Sequence, residues 1–242
     1  MFTLESTAPY VRHASTLKEG LVDWGDQPNC REGTSKSSGR LLHKDTETPV
    51  EVGLWRCTPG RWPLEIPHDE LCHFTSGRAV YTRDNGEVIE IKPNTVVHFK
   101  AGWKGEAEVS ETIFVSYMLC PGGPSEEATP VLADSHHDPA KADWGVIPTM
   151  LEGESKISGI LLARQPDRKA ESGIWICTPG KWFCHVTSDE FCHFLTGRAT
   201  YVHENGEVIE IEPDTASFFP QDWKGTCTVH ETVRKVYMIR QS

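Results

Sequence analysis

Short runs of apolar and β-branched residues, separated by turn signals, recur along the chain. Residues 50–57 (VEVGLWRC) form one such run, and a Thr-Pro-Gly turn at 58–60 ends it. Residues 88–91 alternate apolar and acidic side chains directly after the tight-turn sequence DNG at 84–86. Alternation with a period of two is typical of a half-buried strand, and no segment shows the 3.6-residue stripe of an amphipathic helix. The pattern predicts an all-β sandwich or barrel.

The same pattern occurs twice, because the second half of the chain repeats the first at the offset that separates Asp23 from Asp143. About half of the paired positions are identical over nearly a hundred residues, which indicates a duplicated domain rather than a short solenoid repeat. The shared strings are DWG from Asp23 and Asp143, CTPG from Cys57 and Cys177, GRA from Gly77 and Gly197, NGEVIEI from Asn85 and Asn205, and WKG from Trp103 and Trp223.

The repeat also sets the predicted domain boundaries. We expect an N-terminal arm at 1–22 that crosses a barrel, a first domain at 23–119, a linker at 120–141 and a second domain at 142–242. The linker is predicted from its content of Pro, Gly and charged residues. The two barrels are expected to pack as an intramolecular pseudo-twofold pair, with further homo-oligomers left open.

The composition of the chain excludes some classes of binding partner. The formal net charge is −11, which argues against nucleic acid and anionic membranes, because phosphates are bound by clustered Lys and Arg. No run approaches the roughly 20 apolar residues of a membrane span, and the first residues do not form a signal peptide. The eight cysteines include no CxxC pair and are interpreted as reduced thiols. A cytoplasmic protein with a small-molecule ligand is therefore predicted.

The spacing of glycine and glutamate residues in each repeat resembles a motif of the cupin superfamily. Gly60, Glu70 and Gly77 fall on the glycine–glutamate–glycine frame of its first motif, and the second repeat does the same at Gly180, Glu190 and Gly197. The strings CTPG, NGEVIEI and WKG are similar to those of ureidoglycine-aminohydrolase-type and ethanolamine-utilisation-type cupins. The resemblance implies two tandem cupin (RmlC-like jelly roll) β-barrels, that is, a bicupin.

The resemblance also raises the question of a metal, since cupins of this kind use imidazole and carboxylate ligands for Mn, Fe, Ni or Zn. The two histidine positions of the first motif fall on Leu64 and Ile66, or on Pro63 and Glu65, depending on the spacing chosen. In the second repeat they fall on Cys184 and Val186, or on Phe183 and His185. The ligands of the ureidoglycine enzymes are mostly replaced by apolar residues or glycine.

The residues that remain give two hypotheses for each barrel. His185, Glu190 and Cys192 form the predicted metal set of the second repeat, and Glu65, Glu70 and Cys72 are its weaker counterpart in the first. A His–carboxylate–thiolate set can hold one divalent ion with an open position. The alternative is that no metal binds, that Cys72 and Cys192 are small buried side chains, and that Glu70 and Glu190 are hydrogen-bonded in a polar pocket.

Other side chains are weaker candidates for the site. Glu70 and Glu190 are predicted as catalytic groups that act as general acid or base. Trp182, Trp223 and Arg198 are candidates for ligand binding, against the alternative that the tryptophans are core residues and the arginine pairs with an acid. His73 and His193 alternate away from the glutamates and are predicted to be structural.

Two functions follow, and the sequence does not decide between them. The chain is predicted to act on a small polar metabolite, nitrogenous or carboxylated, by metal-dependent hydrolase or lyase chemistry, with the second repeat as the active copy. The alternative is a non-catalytic cupin that binds a small molecule without a metal.

Overall fold

A computed structural model describes residues 13–14, 20–48, 50–122, 129–137, 141–165 and 170–241. No helix occurs in these ranges, and none is therefore long and apolar enough to cross a membrane. The strands are β1 (His13–Ala14), β2 (Val22–Asp26), β3 (Lys36–Lys44), β4 (Glu51–Cys57), β5 (Gly60–Ile66), β6 (Asp69–Arg83), β7 (Val88–Ile91), β8 (Thr95–Phe99), β9 (Trp103–Cys120), β10 (Val131–Asp134), β11 (Ala142–Val146), β12 (Met150–Glu152), β13 (Lys156–Gln165), β14 (Ala170–Cys177), β15 (Gly180–His185), β16 (Asp189–His203), β17 (Val208–Ile211), β18 (Thr215–Phe219) and β19 (Lys224–Arg240).

The strands form two compact units, as the internal repeat predicts. Among the described residues, unit 1 comprises 20–136, and unit 2 comprises 13–14 together with 137–241. The sheet of unit 1 has the order β10-β8-β6-β9-β4-β3-β2, with β5 on β9 and β7 on β6. The sheet of unit 2 has the order β1-β18-β16-β19-β14-β13-β11, with β17 on β16, β15 on β19 and β12 on β15. The predicted all-β bicupin architecture is confirmed.

Two strands lie in segments that have no counterpart in the repeat. Strand β10, inside the predicted linker, pairs with β8 from Val131↔His98 to Asp134↔Thr95. Strand β1, inside the predicted arm, pairs with β18 through His13↔Ser217 and Ala14↔Ala216. Each unit therefore has a further strand at the same edge of its sheet, and an unpaired row of backbone donors and acceptors is covered there.

The long strands β6 and β9 bend at a glycine that the repeat retains. Gly77 has φ +86°, and a Cβ on it would lie 2.3 Å from the carbonyl oxygen of Thr112. Gly197 repeats this with φ +83° and the oxygen of Thr232. The register between β6 and β9 shifts on both sides of Gly77. Only glycine tolerates this combination of positive φ and close backbone approach, and the bulge allows one strand to turn around the cup.

Large aromatic side chains fill the closed end of each cup. Tyr81 packs on Phe99 and Trp103 with ring centroids 6.1 and 6.4 Å away, and Trp103 is fully buried. Tyr201 and Trp223 repeat the arrangement in unit 2 at 6.2 Å. Aromatic pairs at such distances contribute stability beyond their buried area. Tyr81 and Tyr201 also line a cavity in their units, so this aromatic core lies directly against the cavity.

Candidate functional site

Each unit contains a cavity into which the glutamate of the cupin frame points. Strand β6 sends alternate side chains to one face, so Glu70 and Cys72 share the inner face while His73 lies on the other. The unit 1 cavity has a volume of about 380 Å³ and the unit 2 cavity about 320 Å³. Glu190 lines the second cavity in the same way. The sequence prediction that both glutamates point into the cups agrees with these positions.

In unit 1 the cavity presents carboxylates and aromatic rings. The Cys72 thiol donates to Glu70 Oε1 at 3.2 Å, and the Tyr117 hydroxyl donates to Glu51 Oε1 at 2.6 Å. The Trp55 indole donates to Ser37 Oγ at 3.2 Å, which fixes the ring in the wall. No Lys or Arg is among the described residues that line this cavity.

Burial raises the pKa values of three acidic groups in this cavity. It raises the pKa of Glu70 to about 7; the hydrogen bond from Cys72 lowers it, and the nearby Glu51 carboxylate raises it further. Burial also raises the pKa of the Cys72 thiol and of the Tyr117 hydroxyl well above their ordinary values. Near neutral pH, Glu70 is therefore the group of this set that can gain or lose a proton, because the thiol and the phenol remain protonated.

In unit 2 a lysine enters the corresponding space. Lys235 extends from β19, and its ammonium donates to Glu190 Oε1 at 2.6 Å and to Cys192 Sγ at 3.2 Å. The ammonium also lies 4.8 Å from the centre of the Trp175 ring and 5.7 Å from that of Phe194. Such distances are within the range of cation–π attraction. The ion pair is mostly buried, with 10% of the Lys235 side chain and 19% of the Glu190 side chain exposed.

The lysine is held as an ammonium. Burial alone would lower its pKa, but the Cys192 and Glu190 groups that face it raise the pKa of Lys235 above its ordinary value. A second pair lies beside it, in which the Tyr237 hydroxyl donates to Glu171 Oε1 at 2.7 Å. Unit 2 therefore repeats the Tyr–Glu pair of unit 1 but neutralises its central glutamate with a side chain of its own.

The predicted metal sets are not assembled. His185 lies on the outer face of β15, where its Nε2 is 3.1 Å from Asp222 Oδ1, while its neighbour Cys184 lines the cavity. Glu65 is largely exposed and pairs with Lys104 at 2.8 Å. Within the described ranges no group of three His, Cys, Asp or Glu side chains could hold a metal ion. The structure does not bring His185 together with Glu190 and Cys192, the three ligands that the sequence predicts, because strand alternation turns His185 to the other face.

The donor set of unit 2 also does not suit a divalent cation. The inward positions of the first motif are Leu64 and Ile66 in unit 1, and Cys184 and Val186 in unit 2. Beside Glu190, the Lys235 ammonium already occupies the place where a cation would be bound, and two like charges there would repel each other. The residues present therefore do not fit the metal that the cupin fold implies.

The predicted ligand-binding residues divide between the cavity and the rest of unit 2. Trp182 lines the cavity. Trp223 is 1% exposed and packs beneath it against Phe219, with ring centroids 5.3 Å apart, so it is a core residue. Arg198 is exposed on β16 and does not line the cavity, because it follows the bulge at Gly197. His193 is buried, with Nε2 2.9 Å from Asp214 Oδ1.

Several cavity residues were not identified from the sequence. Glu51, Tyr117, Glu171 and Tyr237 belong to it, and each pair is preserved by the repeat, which is a signal that could have found them. Lys235 could have been found from a difference between the two repeats rather than from a shared residue. Its counterpart at the offset of the repeat is Val115, so an apolar position in one copy is a cation in the other.

The curled sheet, the doubled frame and the inward glutamates define the class of protein as a bicupin. The family model described as the EutQ-like cupin domain matches residues 45–117 and again 164–237. The chain therefore belongs to the EutQ-like cupin family, with one such domain in each unit. No protein with a curated description matches the chain in sequence.

Solved structures show the same fold across the whole chain. A protein of unknown function from Pseudomonas syringae pv. tomato is 15% identical with a TM-score of 0.76, over 96% of this chain and 100% of that one. A putative glyoxylate-induced protein from Pseudomonas aeruginosa is 15% identical with a TM-score of 0.64, covering 98% and 90%. Streptomyces albus HEPD, solved with 2-hydroxyethylphosphonate and Fe(II), is 7% identical with a TM-score of 0.63, covering 99% and 78%. At these identities the likeness concerns the fold alone.

Proposed function

We propose that this bicupin binds a small polar metabolite in the unit 1 cavity and exchanges a proton with it through the Glu70 carboxyl, in a hydrolysis or an elimination. One observation carries the proposal. Glu70 faces an open cavity with only a thiol donor beside it, whereas Glu190 is bound by the Lys235 ammonium. Unit 1, whose Glu70 carboxyl has no cationic partner among the described residues, is therefore the unit that binds and acts on the ligand. In unit 2 the ion pair with Lys235 keeps Glu190 from this role.

The chemistry of Glu70 supports this role. A general acid or base works best when its pKa is near the working pH, and burial places the pKa of Glu70 at about 7. The neighbouring Glu51 and Tyr117 form a fixed pair at 2.6 Å that can orient a polar ligand. Trp55 and Phe99 supply apolar wall, as is typical of small-molecule sites.

A second candidate function is binding without chemistry. It is favoured by the thiols, since burial raises the pKa of both Cys72 and Cys192 and leaves them protonated and poorly nucleophilic. On this alternative the cups hold a metabolite and release it unchanged.

Both candidates are tested with the full chain and a panel of acetamide, lactate, glycinamide and N-carbamoylglycine. Conversion is followed by NMR, and binding by tryptophan fluorescence. Glu70→Gln should lower any conversion by about 100-fold or more. Glu90→Gln, the same chemical change on the exposed face of β7, should leave it unchanged. Conversion that survives Glu70→Gln would refute the proton-transfer role, and binding without conversion would support the second candidate.

A further inference from the structure

The groups that surround the Lys235 ammonium in the unit 2 cavity are also present in unit 1. In unit 2 the Glu190 carboxylate, the Cys192 sulfur and the faces of Trp175 and Phe194 surround the Lys235 ammonium. Unit 1 retains all four groups, as Glu70, Cys72, Trp55 and Phe74. Only the side chain that brings the ammonium is missing there, because Val115 replaces the lysine.

A second charge difference between the copies has the same sign. Asp26 lines the unit 1 cavity where unit 2 has Val146. Together with Val115, this substitution adds an acid to unit 1 and removes a base. Besides Glu65, which is paired with Lys104, the described lining of this cavity includes the acidic side chains Asp26, Glu51 and Glu70, and neither Lys nor Arg. A cavity of this charge attracts a cation.

We propose that the unit 1 cavity binds a small organic ligand through a primary ammonium group, which takes the position that the Lys235 ammonium has in unit 2. The inference rests on the proposed function only in taking unit 1 as the ligand site. The ammonium donates to Glu70 and lies over the Trp55 ring, with Cys72 beside it. Val115 leaves room for the carbon chain of the ligand, and the cavity of about 380 Å³ limits the ligand to a small amine.

The tests use n-propylamine as the probe, with 1-propanol and propionate as uncharged and anionic probes of similar size. Binding to the full chain is measured by calorimetry at pH 8.5, where an alkylamine is protonated and Glu70 is ionised. We expect one amine per chain and at least about tenfold weaker binding of both other probes. Equal binding of the three would overturn the proposal, because shape rather than charge would then select the ligand.

Exchanging the position between the copies gives the sharper test. Val115→Lys should supply an internal ammonium to unit 1, as in unit 2, and reduce amine binding from one equivalent to none. Lys235→Val should open unit 2 in the manner of unit 1 and raise the count to two. Should Lys235→Val fail to fold, Val115→Lys and Glu70→Gln still decide, since each must lower amine affinity by about tenfold or more.

The outcomes separate this inference from the proposed proton transfer. Unchanged amine binding in Glu70→Gln and Val115→Lys would overturn the ammonium site, even if Glu70-dependent conversion of a neutral substrate were found. Amine binding that is lost in both variants would support the site, even if no member of the substrate panel were converted.

Discussion

The burial of Glu70 predicts that unit 1 becomes less stable as the pH rises, and that Glu70→Gln removes this effect. Burial raises the pKa of the Glu70 carboxyl from its ordinary value of 4.5 to about 7 in the folded chain. A raised folded-state pKa contributes stability that is complete below the unfolded value and is lost as the pH rises through the folded value. The loss therefore runs from about pH 4.5 to above pH 7.

The size of the effect follows from the shift. Each pKa unit corresponds to about 1.4 kcal/mol, so the pKa difference of about 2.5 between the folded and the unfolded chain corresponds to at most roughly 3.5 kcal/mol. Glu70 is partly exposed to solvent, which reduces the expected difference to about 2 kcal/mol. Other titratable groups face it as well. Cys72, Tyr81 and Tyr117 stay protonated across this window because burial raises their pKa values, and Glu51 is present in both proteins.

The assay compares wild type, Glu70→Gln and Glu90→Gln by urea unfolding between pH 4.5 and pH 8.5. Hydrogen exchange in peptides from β6 follows unit 1 directly, because two units need not unfold in one transition. We expect Glu70→Gln to gain about 2 kcal/mol over wild type at pH 8.5 relative to pH 4.5, and Glu90→Gln to gain nothing. A difference between wild type and Glu70→Gln that does not change with pH would refute the burial argument.

Three further predictions concern the ion pair, the strand bulge and the metal. Lys235→Met should destabilise unit 2 by about 3–5 kcal/mol at pH 8, because Glu190 loses its buried partner, and adding Glu190→Gln should recover part of the loss in urea unfolding. Gly77→Ala should lower the free energy of unfolding more than Gly86→Ala does. Both glycines have positive φ, but of the two only Gly77 would place a Cβ within 4 Å of backbone atoms. Equal losses in urea unfolding would contradict this close approach. Elemental analysis of untagged protein should find well under one transition-metal ion per chain. A stoichiometric ion that Glu70→Gln abolishes would refute the conclusion that the residues of the cavity do not fit a metal.

The sequence was sufficient for the fold because each local signal agreed with the others. Turns such as DNG at 84–86, the alternation at 88–91 and the offset of the repeat all favoured two strand-built domains. The inward orientation of Glu70 also followed from its place in the glycine–glutamate–glycine frame. These features depend on neighbours in sequence or on a fixed spacing, which is why a single chain reveals them.

The composition of the site was harder to predict, because it depends on which face each strand turns inward. A difference of one residue in the assumed spacing exchanges Cys184 for His185 inside the cavity, and the metal set depended on that choice. Lys235 reaches Glu190 from a strand 45 residues away along the chain. A contact between residues far apart in sequence depends on how the strands pair across the sheet, and no local sequence pattern predicts it.

The short pairing of β1 with β18 has a consequence for synthesis. His13 lies opposite Ser217, so β1 needs a partner that is made about 200 residues later. At roughly 5–20 residues per second, that partner emerges some 10–40 seconds afterwards. Unit 1 has its own edge strand β10 by then and can finish folding first. Strand β1 can therefore join the sheet of unit 2 only after β18 has been made, near the end of that unit's synthesis.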